Sequence, residues 1–156
     1  MGSGKEIFPR CGATERRGGR DEKDVVYLVD TSVWIEVFRK RSRVILTAVV
    51  DLEEVVTCLP VVQEVLQGFR DERAFRTARE AMLALPIVES PLQLAVYEEA
   101  IALYRSARRA GLTVRSAVDC LIAACAMRND LTVLHSDRDF EQLVPICPLQ
   151  TRAITA

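Results

Sequence analysis

The residues of this chain best suited to chemistry are carboxylates, and Asp119 is the most informative of them. It stands inside SAVDCLIAACAM (116–127), where nearly every neighbour is apolar. An isolated charge in such surroundings is expensive, so the residue must be paired, protonated or bound to a cation. With helical spacing, its own stripe holds Arg115, Ser116, Ala123 and Ala126, while Val118, Leu121 and Cys125 point elsewhere. Small neighbours leave room for a ligand or another backbone. The alternative is a salt bridge to Arg115, one turn back.

Asp30 ends the apolar run VVYLV (25–29) and opens the segment that follows. In parallel α/β sheets, ligands bind beyond the carboxyl ends of the strands, which is where a catalytic acid belongs. An aspartate there is also a common helix N-cap. Asp137 repeats the arrangement after LTVLHS (131–136), and the two converge if their strands are neighbours. Asp139, two residues on, supplements Asp137 or caps the following helix. Glu64 lies in VVQEVLQGF (61–69), whose apolar face is Val61, Val62, Val65, Leu66 and Phe69. That leaves Glu64 on the polar side, a solvated residue unless the same side lines the cleft.

Hard carboxylate oxygens with no His or Cys among them favour Mg²⁺ or Mn²⁺ over zinc. His135, the single histidine, lies in a strand two residues before Asp137 and reads as a packed strand residue rather than a ligand or base. The five cysteines (11, 58, 120, 125 and 147) are scattered without CxxC spacing. They fit neither a disulfide framework nor a zinc site, and read as small buried residues of a reducing cytoplasm.

These acids need elements to position them. Residues 25–29 form a short buried parallel strand, and Thr31-Ser32 then lead into the helix VWIEVF. A helix is expected over Arg43–Leu52, a strand over Glu54–Leu59 and a helix from Pro60 through Phe69. Another helix covers Glu72–Leu83, with a strand at Ile87–Glu89 after Pro86. Pro91 starts a helix to about Ala110, closed by Gly111. Ser116–Arg128 is the most apolar helix; a strand over 131–136, a short helix and a terminal strand near Ile146–Leu149 complete the pattern. Strands alternating with helices imply an α/β fold around a mostly parallel sheet of four to five strands.

Of the 156 residues, 49% are hydrophobic, enough to bury a core, and the length suits one domain. The formal net charge is −1, with Lys only at 5, 23 and 40. A near-neutral total argues against a protein that coats nucleic acid by charge alone, but not against an enzyme with a local basic surface. Residues 1–24 are rich in Gly and charge and read as a disordered extension ahead of a domain at 25–156. No apolar stretch approaches the ~20 residues that span a bilayer, so a soluble cytoplasmic protein with no membrane contact is expected.

The segments LVDTSVWIEVFR, VVQEVLQG and VRSAVDCLIAACAMRNDLTVLHSDRDF, in this order, resemble the PIN-domain ribonucleases, in particular the VapC-type toxins of bacterial toxin–antitoxin pairs. The resemblance covers essentially all of residues 25–149. It implies a three-layer α/β/α sandwich in which Asp30, Glu64, Asp119 and Asp137 form an acidic quartet holding Mg²⁺ or Mn²⁺. It also implies supporting roles for Thr31 or Ser32 and for Arg115, beside Asp139. The implied reaction is metal-dependent hydrolysis of phosphodiesters in structured RNA, transfer or ribosomal. Implied partners are a VapB-like antitoxin, for which Trp34 and Phe38 offer an apolar groove, and a second copy of the chain. Arg39, Arg41, Arg43, Arg70, Arg73, Arg76 and Arg79 are candidates to neutralise flanking phosphates. A PIN nuclease of RNA processing and a catalytically inactive PIN-like binding module remain as alternatives. A phosphoacceptor receiver domain would need a Lys after its last strand, and no Lys follows position 40.

Overall fold

The computed structural model describes residues 25–39, 41–42 and 44–155. The extension expected over residues 1–24 lies outside the described residues, as does Arg43. Strand β1 (Tyr27–Val29) runs directly into helix α1 (Thr31–Phe38) through Asp30. Asp30 keeps an extended backbone and caps the helix with its side chain, an N-terminus made of the right residue types. Strand β2 (Val55–Cys58) is buried along its whole length and turns into α2 (Leu59–Gln67), whose Pro60 sits in the first turn.

Helix α3 (Glu72–Ala84), capped by Asp71, leads to the two-residue strand β3 (Ile87–Val88). Helices α4 (Leu94–Arg109) and α5 (Ala117–Arg128) pack on one another. After them come β4 (Thr132–His135), α6 (Arg138–Leu143) and β5 (Gln150–Ala153).

The five strands lie in the order β3-β2-β1-β4-β5 with every pairing parallel. From β1 the chain builds outward through β2 and β3, then returns to place β4 on the other side of β1. The carboxyl ends of β1 and β4 are therefore the topological switch point, the crevice where parallel sheets bind ligands. Val29 stands opposite Leu134, and the Asp30 amide donates to the Leu134 carbonyl at 2.9 Å. Helices cover both faces, as they must when the central strands are apolar on both sides. Leu28, Val29, Val33, Val55, Ile122 and Leu134 are all fully buried in the core. Among the described residues, no helix is long and apolar enough to cross a membrane.

Three expectations need correction. The helix expected over Arg43–Leu52 is replaced by two single 3₁₀ turns, Leu46–Ala48 and Leu52–Glu54. Val44, Ile45, Val49 and Val50 are β-branched and poor helix formers, and Asp51 caps the second turn by accepting from the Glu53 amide. The last strand is Gln150–Ala153 rather than Ile146–Leu149. The apolar residues before it close the turn after α6, with the Ile146 amide donating to the Leu143 carbonyl. Helix α4 starts at Leu94, not Pro91.

Candidate active site

The switch point gathers the acids that the sequence singles out. Asp30 is 3% exposed; its Oδ2 accepts the Ser32 amide at 2.9 Å and the Ser32 hydroxyl as well. The same hydroxyl oxygen accepts the Ser136 amide at 3.1 Å, so one serine ties the end of β1 to the end of β4. All these donors converge on Oδ2. The Thr31 backbone adds a further hydrogen bond to the same carboxylate. Burial raises the pKa of Asp30 above its ordinary value, opposed by the hydrogen bonds from Ser32 and Thr31 and by the nearby His135.

Glu64 joins the site from α2. The Thr31 hydroxyl donates to its Oε2 at 2.8 Å, a contact between α1 and α2 that bridges thirty-three positions of sequence. The polar side of α2 therefore does line the cleft, which periodicity alone left open. Ser32 supports Asp30 and Thr31 supports Glu64, so the two hydroxyls of the DTS segment divide the work.

Asp119, in the first turn of α5, is 8% exposed. No side chain of the described residues donates to it or forms an ion pair with it. Its carboxyl is pushed up to about 8, first by burial and then by the negative charges of Asp30, Asp137, Asp139 and Glu64. All four of those carboxylates lie near enough for their charge to act on Asp119.

The salt bridge from Arg115 to Asp119, weighed as an alternative, does not form. Helix α5 begins at Ala117 with Ser116 as its cap, so Arg115 lies outside the helix and cannot share a stripe with Asp119. Its guanidinium turns to the β4–α6 junction instead: Nη2 donates to Asp137 Oδ1 at 2.8 Å and Nε to Asp139 Oδ1 at 3.1 Å. The Arg115 amide adds a third bond, to Asp139 Oδ2 at 2.9 Å. Asp137 also caps α6 by accepting the Asp139 amide at 3.1 Å. Asp139 is neither a second cap nor a loose supplement: at 1% exposure it is the buried anchor of Arg115.

His135 is 1% exposed and packs its ring on Phe140 at a centroid distance of 5.3 Å, a strand histidine in the core. Trp34 is likewise core: it is 6% exposed, stacks on Phe38 and donates its indole N–H to the Val29 carbonyl at 3.1 Å. The exposed apolar residue of α1 is Ile35. Of the candidate phosphate-binding arginines, Arg39 pairs with Glu36 and Arg76 with Glu72 along their own helices.

The donor set suits a hard divalent cation. It offers carboxylate oxygens alone, and among the described residues Asp119 has no hydrogen-bond or ion-pair partner. Among the described residues the acids share a cleft without three of them converging as a ready-made ligand cluster. An ion held here would take one or two carboxylates directly and keep several waters, as Mg²⁺ does.

Fold and site together define a class. A sequence model of the PIN domain matches residues 27–144, and the chain belongs to that family. It is 38% identical over 128 residues to a protein named VapC ribonuclease Mb1587 in Mycobacterium bovis and, equally, to one named ribonuclease VapC11 in Mycobacterium tuberculosis. Those matches cover 79% of this chain and 95% of each relative. Among solved structures it is similar to VapBC2 from Rickettsia felis, bound to a DNA fragment from the promoter, with a TM-score of 0.67 and 16% identity over 84% of this chain and all of that one. It is also similar to VapBC-5 from Mycobacterium tuberculosis, with a TM-score of 0.64 and 19% identity over 83% of this chain and 99% of that one.

Proposed function

We propose that this protein is a divalent-metal-dependent endoribonuclease that hydrolyses phosphodiester bonds in structured RNA and acts as the toxin of a toxin–antitoxin pair. The observation that carries the metal site is Asp119: a nearly buried carboxylate that feels the charge of four other acids, with no cation among the described residues bonded to it. The ribonuclease reading is supported by family membership and by the names of the relatives.

Asp30 and Asp119 would hold the ion, with Glu64 and Asp137 orienting its waters. Bound there, Mg²⁺ or Mn²⁺ supplies a nucleophile from water and neutralises charge on the scissile phosphate. The protein's own part is positional. Ser32 bonds Oδ2 of Asp30 twice and so fixes the orientation of that carboxylate. Thr31 fixes the Glu64 carboxylate, and the β1–β4 pairing holds Asp30 and Asp137 on neighbouring strand ends. Arg115 offsets the charge of Asp137 and Asp139 and keeps the cluster from being wholly anionic. No side chain of the cluster is an activated nucleophile, which leaves water or the RNA 2′-hydroxyl to attack; membership of the PIN family supports water.

The similarity to VapBC assemblies supports a VapB-like antitoxin as partner; a second copy of this chain and a cytoplasmic setting belong to the same proposal. Mapping fragment ends after digestion of total bacterial RNA tests the reaction. Fragments with 5′-phosphate and 3′-hydroxyl ends are expected, and the mapped positions name the RNA, transfer or ribosomal. Ends carrying 2′,3′-cyclic phosphate would refute the reading.

A further inference from the structure

We propose that Arg115 is the RNA phosphate anchor of this site, binding a non-bridging oxygen of the substrate strand through the N–H groups it does not spend on Asp137 and Asp139. The inference rests on the ribonuclease reading and assigns it a substrate contact. Of the surface arginines suggested by sequence, Arg39 and Arg76 are paired with Glu36 and Glu72, and none of the described ones is hydrogen-bonded to a clustered acid. Among the described residues, Arg115 is the one basic side chain hydrogen-bonded to any of the five clustered acids.

Its geometry is that of a receptor rather than a plain strut. A guanidinium carries five N–H donors in a rigid plane. Here the Nε hydrogen goes to Asp139 and one Nη2 hydrogen to Asp137, leaving both Nη1 hydrogens and one on Nη2. The carboxylates hold the plane from behind: Asp139 is 2% exposed at its side chain while Arg115 is 68% exposed, so the spare donors face solvent. The backbone is pinned too, through the Arg115 amide to Asp139 Oδ2. A phosphate approaching an acid-lined cleft is repelled everywhere except at such a point. A fork already oriented by two carboxylates loses little freedom on binding.

The test is equilibrium binding of a fluorescent single-stranded RNA decamer in EDTA, over a range of salt. It uses the Asp119→Asn protein, in which cleavage is expected to be disabled and the residue stays neutral at every pH. Adding Arg115→Ala should weaken binding about tenfold or more and lower the salt slope by about one. Arg115→Lys, which keeps the charge but not the fork, should restore the slope and only part of the affinity. Arg79→Ala on α3 should change neither. Melting curves identify any variant that has lost the fold, and Arg115→Lys then carries the comparison. Slope and affinity indifferent to both Arg115 substitutions, or no binding by the parent protein, would overturn the assignment. Arg115-dependent binding with no cleavage by the wild type would retain the anchor and refute the nuclease. Cleavage by the wild type with Arg115-independent binding would do the reverse.

Discussion

Replacing Asp119 with Asn should stabilise the metal-free protein while destroying its site. The carboxyl is pushed from 3.8 to about 8 by burial and by four neighbouring acids. At about 1.4 kcal/mol per pH unit, a rise of about four units sets a ceiling near 6 kcal/mol on the cost of keeping it ionised. One side of the group still meets solvent, and screening there reduces the effective cost to about 2 kcal/mol. The sign follows from linkage: the folded state holds this proton more tightly than the unfolded chain. The stability it confers is full below about pH 4 and is lost as pH rises through about 8. In EDTA, wild-type stability should therefore fall between pH 5 and pH 9, and Asp119→Asn should remove most of that slope. At pH 9 the variant should melt about 6 °C higher, taking about 3 °C per kcal/mol for a domain of this size. At pH 5 the gap should be clearly smaller, because only the first part of the loss has then accrued. Thermal denaturation in EDTA at pH 5, 7 and 9 measures this, and a variant at or below wild type at pH 9 would refute the stored repulsion.

Two smaller perturbations probe the supports. Ser32→Ala removes a donor from Asp30 and the acceptor of the Ser136 amide; it should cost about 1–2 kcal/mol in denaturant unfolding and weaken Mn²⁺ binding measured by calorimetry. Unchanged Mn²⁺ affinity would show that Asp30 does not need Ser32 to aim it. Thr31→Val keeps the shape but frees Glu64; a loss of about 1 kcal/mol in stability is expected, with a larger fall in cleavage rate than in RNA affinity. A fall in affinity alone would place Glu64 outside the reaction.

Much of the site was legible because its signals are local. An aspartate at the end of VVYLV and another after LTVLHS mark strand ends, and a carboxylate inside an apolar helix is costly wherever it sits. Family resemblance was needed for Glu64, whose place depends on a hydrogen bond from Thr31 across two helices. Arg115 misled for a related reason: its partners lie more than twenty residues downstream, and the helix that would have linked it to Asp119 starts two residues later. Asp139 looked secondary to Asp137 because nothing local shows that Arg115 folds over it. In the fold, β5 escaped because it is a polar edge strand, largely exposed, while the apolar residues just before it imitate a strand. The 3₁₀ turns at 46–48 and 52–54 escaped because apolar spacing imitates a helix where β-branched residues disfavour one.

The central claim is that the acid cluster is a metal-dependent ribonuclease centre. Its most direct test is cleavage of total bacterial RNA by the purified protein, with Mg²⁺ or Mn²⁺ against EDTA, beside Asp30→Asn. The account predicts discrete fragments that appear with metal, vanish in EDTA and are absent for a folded Asp30→Asn protein. Fragments of equal yield in EDTA or from Asp30→Asn, or no cleavage by the folded wild type with either metal, would contradict it.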